Sequence, residues 1–80
     1  MKRTVEHIMA DVLKIPETDI TDNLTIEDLE TWDSLKHMDL VVSIEQAFKI
    51  ELTLDEIIIM TSVVAIKRVL NDRGVLGEWN

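Results

Sequence analysis

One serine stands out in this sequence because of the residues around it. Ser34 follows Trp32 and Asp33, precedes Leu35, and lies where an amphipathic helical pattern begins. Free backbone N–H groups and the positive end of the helix dipole favour an anion at such a position. A phosphate esterified to Ser34 would lie in that field, so we interpret Ser34 as an attachment point for a phosphorylated group. The alternative is that Ser34 is only an N-cap residue, which is a common role for serine.

The same stretch holds Ser34, His37 and Asp39, the residue types of a hydrolytic triad. All three fall within two turns of one predicted helix, and Asp39 is angled away from the face shared by Ser34 and His37. The sequence shows no glycine-rich loop and no strand–turn–helix elbow around the serine. We therefore expect no catalysis by this chain, and we expect His37 to border the core or to touch the phosphate.

Composition limits the classes of protein to which the chain can belong. It has 80 residues, 46% of them hydrophobic and 4% aromatic, which predicts one small domain with an aliphatic core. Sixteen acidic and eight basic residues give a net charge of −8, and residues 17–33 contain seven acids and no base. This charge disfavours nucleic acid and favours partners with basic docking surfaces, although it also serves solubility.

The chain contains no cysteine, which excludes disulfides, zinc thiolates and a thiol nucleophile of its own. We predict no metal centre. Glu6 and His7 interrupt any secretory signal, and no apolar run approaches transmembrane length. We therefore expect a cytoplasmic protein without membrane insertion.

Helical periodicity predicts an all-α four-helix bundle that forms a single domain over residues 1–80. No segment alternates with the period of two that a strand requires. The predicted helices span about 4–14, 35–48, 54–59 and 63–72, and the tail spans 74–80.

Two connections in this bundle can be predicted in more detail. Pro16 is expected to stop the first helix, and residues 15–33 form a long loop before the second. Thr53 and Glu56 fit a capping box at the start of a short third helix. The residues that should hold the long loop to the core are Leu24, Ile26 and Leu29.

The second helix carries two apolar stripes, although one is enough for a core. A second stripe rimmed by acids is typical of a docking face, unless another helix of the bundle covers it. The inward stripe comprises Leu40, Val41, Ile44 and Phe48, and the second stripe comprises Leu35, Met38 and Val42, beside Asp39 and Glu45.

This pattern resembles the acyl carrier proteins. The resemblance runs from Val5 through Leu70 and is strongest from Trp32 to Val63. It depends on Asp33-Ser34-Leu35 at the start of the second helix, combined with the inward stripe and the capped third helix.

The resemblance implies that Ser34 carries 4′-phosphopantetheine, which a phosphopantetheinyl transferase transfers from coenzyme A. The terminal thiol would hold acyl groups as thioesters and deliver them to acyl-loading and acyl-processing enzymes. The role of Ser34 would be attachment, not catalysis. A short acyl chain would shelter between the second and third helices, among Val41, Ile44 and Ile57.

The resemblance also implies a surface that partner enzymes recognise. A solvated helix face is the alternative for Asp39 and Glu45, and capping is the alternative for Glu56. The implied surface consists of Asp33, Leu35, Met38, Asp39, Val42, Glu45 and Glu56.

Departures from the family pattern concern charge. Lys36 and His37 follow Leu35 where fatty-acid carriers commonly place an acid first, and Ile58 replaces an expected charged residue. This favours a specialised, polyketide-like or fatty-acid-like pathway over the standard fatty-acid synthase. Because the sequence starts with methionine, we expect a free-standing carrier.

Two other functions remain open at this point. Asp19, Thr21, Asn23 and Glu30 echo the ligand spacing of an EF-hand calcium loop, although Leu24 occupies the position that requires glycine. The second alternative is a protein-interaction bundle that is never modified.

Overall fold

The computed structural model describes residues 4–75, which form four α-helices. Within this part of the chain there is no strand, so the prediction of an all-α bundle is confirmed. The long loop and the short third helix are also present. The helices are α1 (Val5–Leu13), α2 (Ser34–Phe48), α3 (Leu54–Ile59) and α4 (Val63–Asp72).

Local capping sets the bounds of α1 and corrects the predicted ones by a residue at each end. The Thr4 hydroxyl accepts a hydrogen bond from the amide of His7, so Thr4 is the N-cap and lies outside the helix. Lys14 adopts the left-handed conformation with φ of 61°, which ends the helix at Leu13. Pro16 lies two residues after this C-cap, where a proline cannot continue the helix.

The later helices follow their predicted bounds more closely. α3 and α4 occupy the predicted residues, and the Ser62 hydroxyl caps α4 by accepting from the amide of Ala65. Gly74 has a φ of 77° and makes the turn after α4, where a residue with a Cβ would be strained. Of the predicted tail, residues 76–80 lie outside the described residues.

The core is aliphatic, as the composition predicts, and is built mainly by α1, α2 and α4. Trp32 is a buried exception that enters from the long loop. No residue of α3 is fully buried. The buried core residues are Val5, Ile8, Met9, Leu13, Ile20, Trp32, Leu40, Val41, Ile44, Met60, Val63, Ile66, Val69 and Leu70.

The long loop is ordered by two short 3₁₀ turns and by bonds to the junction between α3 and α4. The turns span Glu17–Asp19 and Ile26–Asp28. The amide of Ile26 donates to the carbonyl of Thr61 at 2.8 Å, and the amide of Val63 donates to the carbonyl of Leu24 at 3.0 Å. The predicted anchors Leu24, Ile26 and Leu29 pack against the core.

A buried lysine connects the loop to the helices. The Nζ atom of Lys67 on α4 lies 2.7 Å from Asp22 in the loop and 2.5 Å from Glu6 on α1. Burial alone would lower the pKa of Lys67, but the hydrogen bonds to the two carboxylates outweigh it and raise the pKa. Lys67 therefore stays charged and links three segments of the chain.

Candidate functional site

The start of α2 is capped by Asp33. The Asp33 carboxylate accepts a hydrogen bond from the amide of Lys36 at 2.9 Å, and its carbonyl accepts from the amide of His37 at 2.8 Å. Ser34 is consequently the first residue of α2, and the predicted start at residue 35 is one residue late. The alternative that Ser34 itself is the N-cap is wrong.

Because Asp33 does the capping, the hydroxyl of Ser34 is left available. Its side chain is exposed, and no group within residues 4–75 forms a hydrogen bond with it. The backbone amides of Ser34 and Leu35 also have no acceptor in this part of the chain. An exposed hydroxyl beside two donating amides at a helix start fits a phosphate ester.

His37 does not form a catalytic pair with the serine. Its Nδ1 atom accepts a hydrogen bond from the indole N–H of Trp32 at 3.0 Å, and its Nε2 atom lies 2.9 Å from the carbonyl of Ile57. Both ring nitrogens are thus engaged by the protein interior, and His37 is the core-bordering residue of the two predicted possibilities. Within the described chain, no hydrogen bond connects it to Ser34 or Asp39, so the geometry of a triad is absent.

The role of Trp32 was not predicted from the sequence. Its side chain is 2% exposed, and its ring centroid lies 6.1 Å from that of His37. A buried tryptophan normally pairs its N–H with an acceptor. The sequence did contain one indication of this bond, because His37, which carries an acceptor nitrogen, lies five residues after Trp32.

The second apolar stripe of α2 is exposed to solvent, as predicted. Leu35 is 77% exposed, and Met38 and Val42 are each about half exposed. No other helix among the described residues covers them. The short α3 adds further exposed apolar side chains, with Leu54 at 71% and Ile58 at 61%. Exposed apolar surface that extends over two helices is typical of an interaction site.

The acids predicted for partner recognition differ in their availability. The side chain of Asp39 is exposed and has no hydrogen bond or ion pair within residues 4–75. The carboxylate of Glu45 accepts from the amide of Leu52 at 2.8 Å, which secures the loop after α2. Asp39 is therefore the more accessible of these two acids on α2.

Glu56 is more fully engaged than either. It completes the predicted capping box with Thr53, and its carboxylate accepts two hydrogen bonds from the guanidinium of Arg73. The bonds from Arg73, followed by that from the Thr53 amide, lower the pKa of Glu56 from 4.5 to about 2. The capping role predicted as the alternative for Glu56 is therefore confirmed.

The calcium-loop alternative finds no geometric support. Asp22, in the middle of that segment, is paired with Lys67, and the segment folds into 3₁₀ turns tied to α4. In the described range, no group of three or more His, Asp or Glu side chains is placed to hold a metal ion.

The described residues thus form a helical bundle with an exposed serine at the start of its second helix. The family model for the phosphopantetheine attachment site matches residues 3–70. This covers most of the chain, which therefore belongs to that family and is a carrier of covalently attached 4′-phosphopantetheine. A search of the curated proteins gave no match. None of the helices within residues 4–75 has the length and apolar character needed to cross a membrane.

Proposed function

We propose that Ser34 is the residue to which 4′-phosphopantetheine is attached, and that the chain is an acyl carrier protein. One observation carries this proposal: the Ser34 hydroxyl is exposed and unbonded within the described chain, at a helix start whose cap is supplied by its neighbour Asp33. A serine that capped the helix would have to give up that bond to be modified.

The phosphate of the attached group would be held by the backbone amides of Ser34 and Leu35, which point toward the start of α2. The attached group supplies a thiol, which this cysteine-free chain lacks. The contribution of the protein is to present the linkage on a rigid helix. A flexible tether then raises the effective concentration of the cargo at each partner enzyme. His37 bonds Trp32 and Ile57 and does not bond Ser34 within residues 4–75, which gives no support to a catalytic role for Ser34.

The cargo is proposed to be acyl intermediates of a specialised, polyketide-like or fatty-acid-like pathway. Lys36 and the internally bonded His37 support this, because they leave less negative charge after Leu35 than a fatty-acid carrier commonly has. Partner enzymes with basic docking surfaces would be attracted by the net charge of −8.

A mass measurement tests the attachment site. The protein is incubated with coenzyme A, Mg²⁺ and a broad-specificity phosphopantetheinyl transferase, and its intact mass is recorded. We expect one phosphopantetheine to be added to the wild type and none to Ser34→Ala. Ser43→Ala, on the same helix, is the matched control and should load like the wild type. A folded wild type that stays unloaded with several active transferases would refute the proposal.

The surface around Ser34 is proposed to be the docking face. Its exposed members are Leu35, Met38, Asp39 and Val42, with Asp33 at the edge; Glu45 and Glu56 would contribute only by exchanging their internal bonds for bonds to a partner.

Loading kinetics test this docking face. Val42→Ser should slow loading several-fold at limiting transferase, because an exposed apolar contact is removed without disturbing the core. Ala47→Ser changes an exposed residue elsewhere on α2 and should have no effect. Asp39→Asn should reduce the salt dependence of the loading rate. Equal rates for all three variants and the wild type would show that the transferase does not read this surface.

A further inference from the structure

His37 bonds two separate parts of the chain through one ring. Its Nδ1 atom lies 3.0 Å from the indole nitrogen of Trp32, which ends the long loop, and its Nε2 atom lies 2.9 Å from the carbonyl oxygen of Ile57 on α3. The indole N–H can only donate, and a carbonyl can only accept. The ring must therefore be neutral, with its proton on Nε2.

The bond to Ile57 matters because α3 has little else to hold it. None of its six residues is fully buried, and Leu54, Ile58 and Ile59 are exposed by more than half. Helices with so few buried contacts are the parts of a protein that open most easily. The apolar contribution that fixes the other helices is largely missing here.

Polar contacts take over that task at three places around α3. The Glu45 carboxylate accepts from the amide of Leu52, just before the helix, and Glu56 pairs with Arg73, the residue after α4. His37 holds the carbonyl of Ile57 in the second half of the helix. The contact at Leu52 secures the loop before α3, and the contact with Arg73 secures α3 to the end of α4. Of the three, the bond from His37 is the one that connects α3 to the start of α2.

Two apolar side chains that follow His37 on α2 are enclosed by the protein. Val41 is 2% exposed and Ile44 is fully buried, while Ile57 is partly buried. Because both are buried, an acyl chain tethered to Ser34 could reach Val41 and Ile44 only if the segments around them moved. The bond from His37 to Ile57 joins α2 to α3 at a position in the chain between Ser34 and these two residues.

We propose that His37 is a positioning residue that holds α3 closed against the start of α2, and that its bond to Ile57 must open to admit an acyl chain. The involvement of the acyl chain rests on the proposed function, whereas the positioning of α3 does not. Trp32 supports His37 by fixing its tautomer and its ring orientation from the core.

The first experiment reads the tautomer directly in the unmodified protein. Two-bond ¹H–¹⁵N correlations of the imidazole distinguish the Nε2–H form from the Nδ1–H form. We expect the Nε2–H pattern for His37, and exposed His7 provides an internal comparison. An Nδ1–H or rapidly averaging His37 would overturn the proposal.

The second experiment compares variants by amide hydrogen exchange. His37→Phe keeps a ring but removes both bonds. It should accelerate exchange of the amides of Ile57 on α3 and of Met60 directly after it about tenfold, since two hydrogen bonds are lost. The amide of Ile66 on α4 should be unchanged, which shows that the fold persists. His37→Gln offers an oxygen acceptor and an N–H donor at a similar spacing and should restore slow exchange.

Trp32→Phe provides a second route should His37→Phe fail to fold, because it removes only the bond that orients the ring. It should accelerate exchange of the α3 amides less than His37→Phe does. Unchanged α3 exchange in a folded His37→Phe or Trp32→Phe protein would contradict the positioning role.

The third experiment tests the link to the cargo. Each variant is loaded with an octanoyl-phosphopantetheine group, and cleavage of the thioester by hydroxylamine is timed. A weaker tie lets α3 open more readily, so His37→Phe should shelter the chain better and slow cleavage several-fold, while His37→Gln should match the wild type. Equal rates would refute the gating of the chain. Failure of Ser34 to load would refute the proposed function but leave the first two experiments valid.

Discussion

Asp33 and Ser34 have different roles at the start of α2. Asp33 caps α2 with its carboxylate, so the helix start is stable whether or not the neighbouring hydroxyl is modified. Ser34 makes no bond within the described chain that modification would break. Asp33 thus caps the helix, and Ser34 leaves its hydroxyl available for modification.

Variants of Asp33 should separate its capping role from its charge. Asp33→Ala removes the cap and should destabilise the protein by about 1 kcal/mol, which lowers Tm by roughly 4–8 °C in a domain of this size. Asp33→Asn caps equally well and should keep Tm close to that of the wild type. Thermal unfolding followed by circular dichroism measures both.

The loading rate of Asp33→Asn then reports on the charge alone. A transferase that reads the carboxylate will load this variant more slowly than the wild type. If Asp33→Asn unfolds as early as Asp33→Ala, the capping role is contradicted.

Among the elements, α3 is distinctive because polar contacts position it. Its capping box satisfies its first turn, and the pair of Glu56 with Arg73 connects it to α4. Such contacts are directional and depend on ionisation, whereas the apolar contacts of α1, α2 and α4 do not. The stability of α3 should therefore respond to pH more than that of the remaining helices.

The pair of Glu56 and Arg73 should make unfolding depend on pH in acid. The pKa of Glu56 is about 2 in the folded protein against 4.5 ordinarily, so between these values the unfolded chain binds more protons. The stabilisation from this pair is fully present above pH 4.5 and is lost as the pH falls toward 2. Urea unfolding at several pH values between these limits measures the slope.

Glu56→Gln should flatten this part of the pH dependence, because glutamine keeps the capping box but not the ion pair. Asp55→Asn, on the same helix, is the control, since Asp55 has no ion pair within residues 4–75. If both variants retain the wild-type slope, the pair does not contribute to acid stability.

The elements that could be predicted from the sequence are those whose signals are local. The Thr53–Glu56 capping box and the two stripes of α2 depend on residues within a few positions of one another, and both are present. The bond between His37 and Ile57 depends on tertiary packing across 20 residues, which no local pattern encodes, whereas Trp32 lies only five residues before His37. The start of α2 was misplaced because aspartate and serine are both good caps and stand side by side.

At the scale of the molecule, the excess of acid is balanced where it approaches the interior. Lys67 is buried between Asp22 and Glu6, and thereby joins the acidic loop to α1 and α4. The acids that remain exposed give the surface its negative field. Lys67 thus offsets the charge of two of these acids inside the fold.

Replacement of Lys67 should show how much its ion pairs contribute to the stability of the fold. Lys67→Met keeps the apolar stem and removes the charge, and should lower the stability by about 2 kcal/mol because two charge-assisted hydrogen bonds are lost. Arg68→Met makes the same change in net charge at an exposed position of α4 and should be nearly neutral. Chemical denaturation of both variants measures the difference, and equal losses would show that only the net charge matters.

The backbone bonds between the long loop and the junction before α4 have a consequence for when Ser34 could be modified during synthesis of the chain. Leu24 and Ile26 find their partners at Val63 and Thr61, far downstream of Ser34. A nascent chain emerging from the ribosome therefore holds the serine long before it holds the segment that orders the approach to it. We therefore predict that the proposed transferase recognises Ser34 only after translation has passed the start of α4, so that an incomplete chain is not loaded.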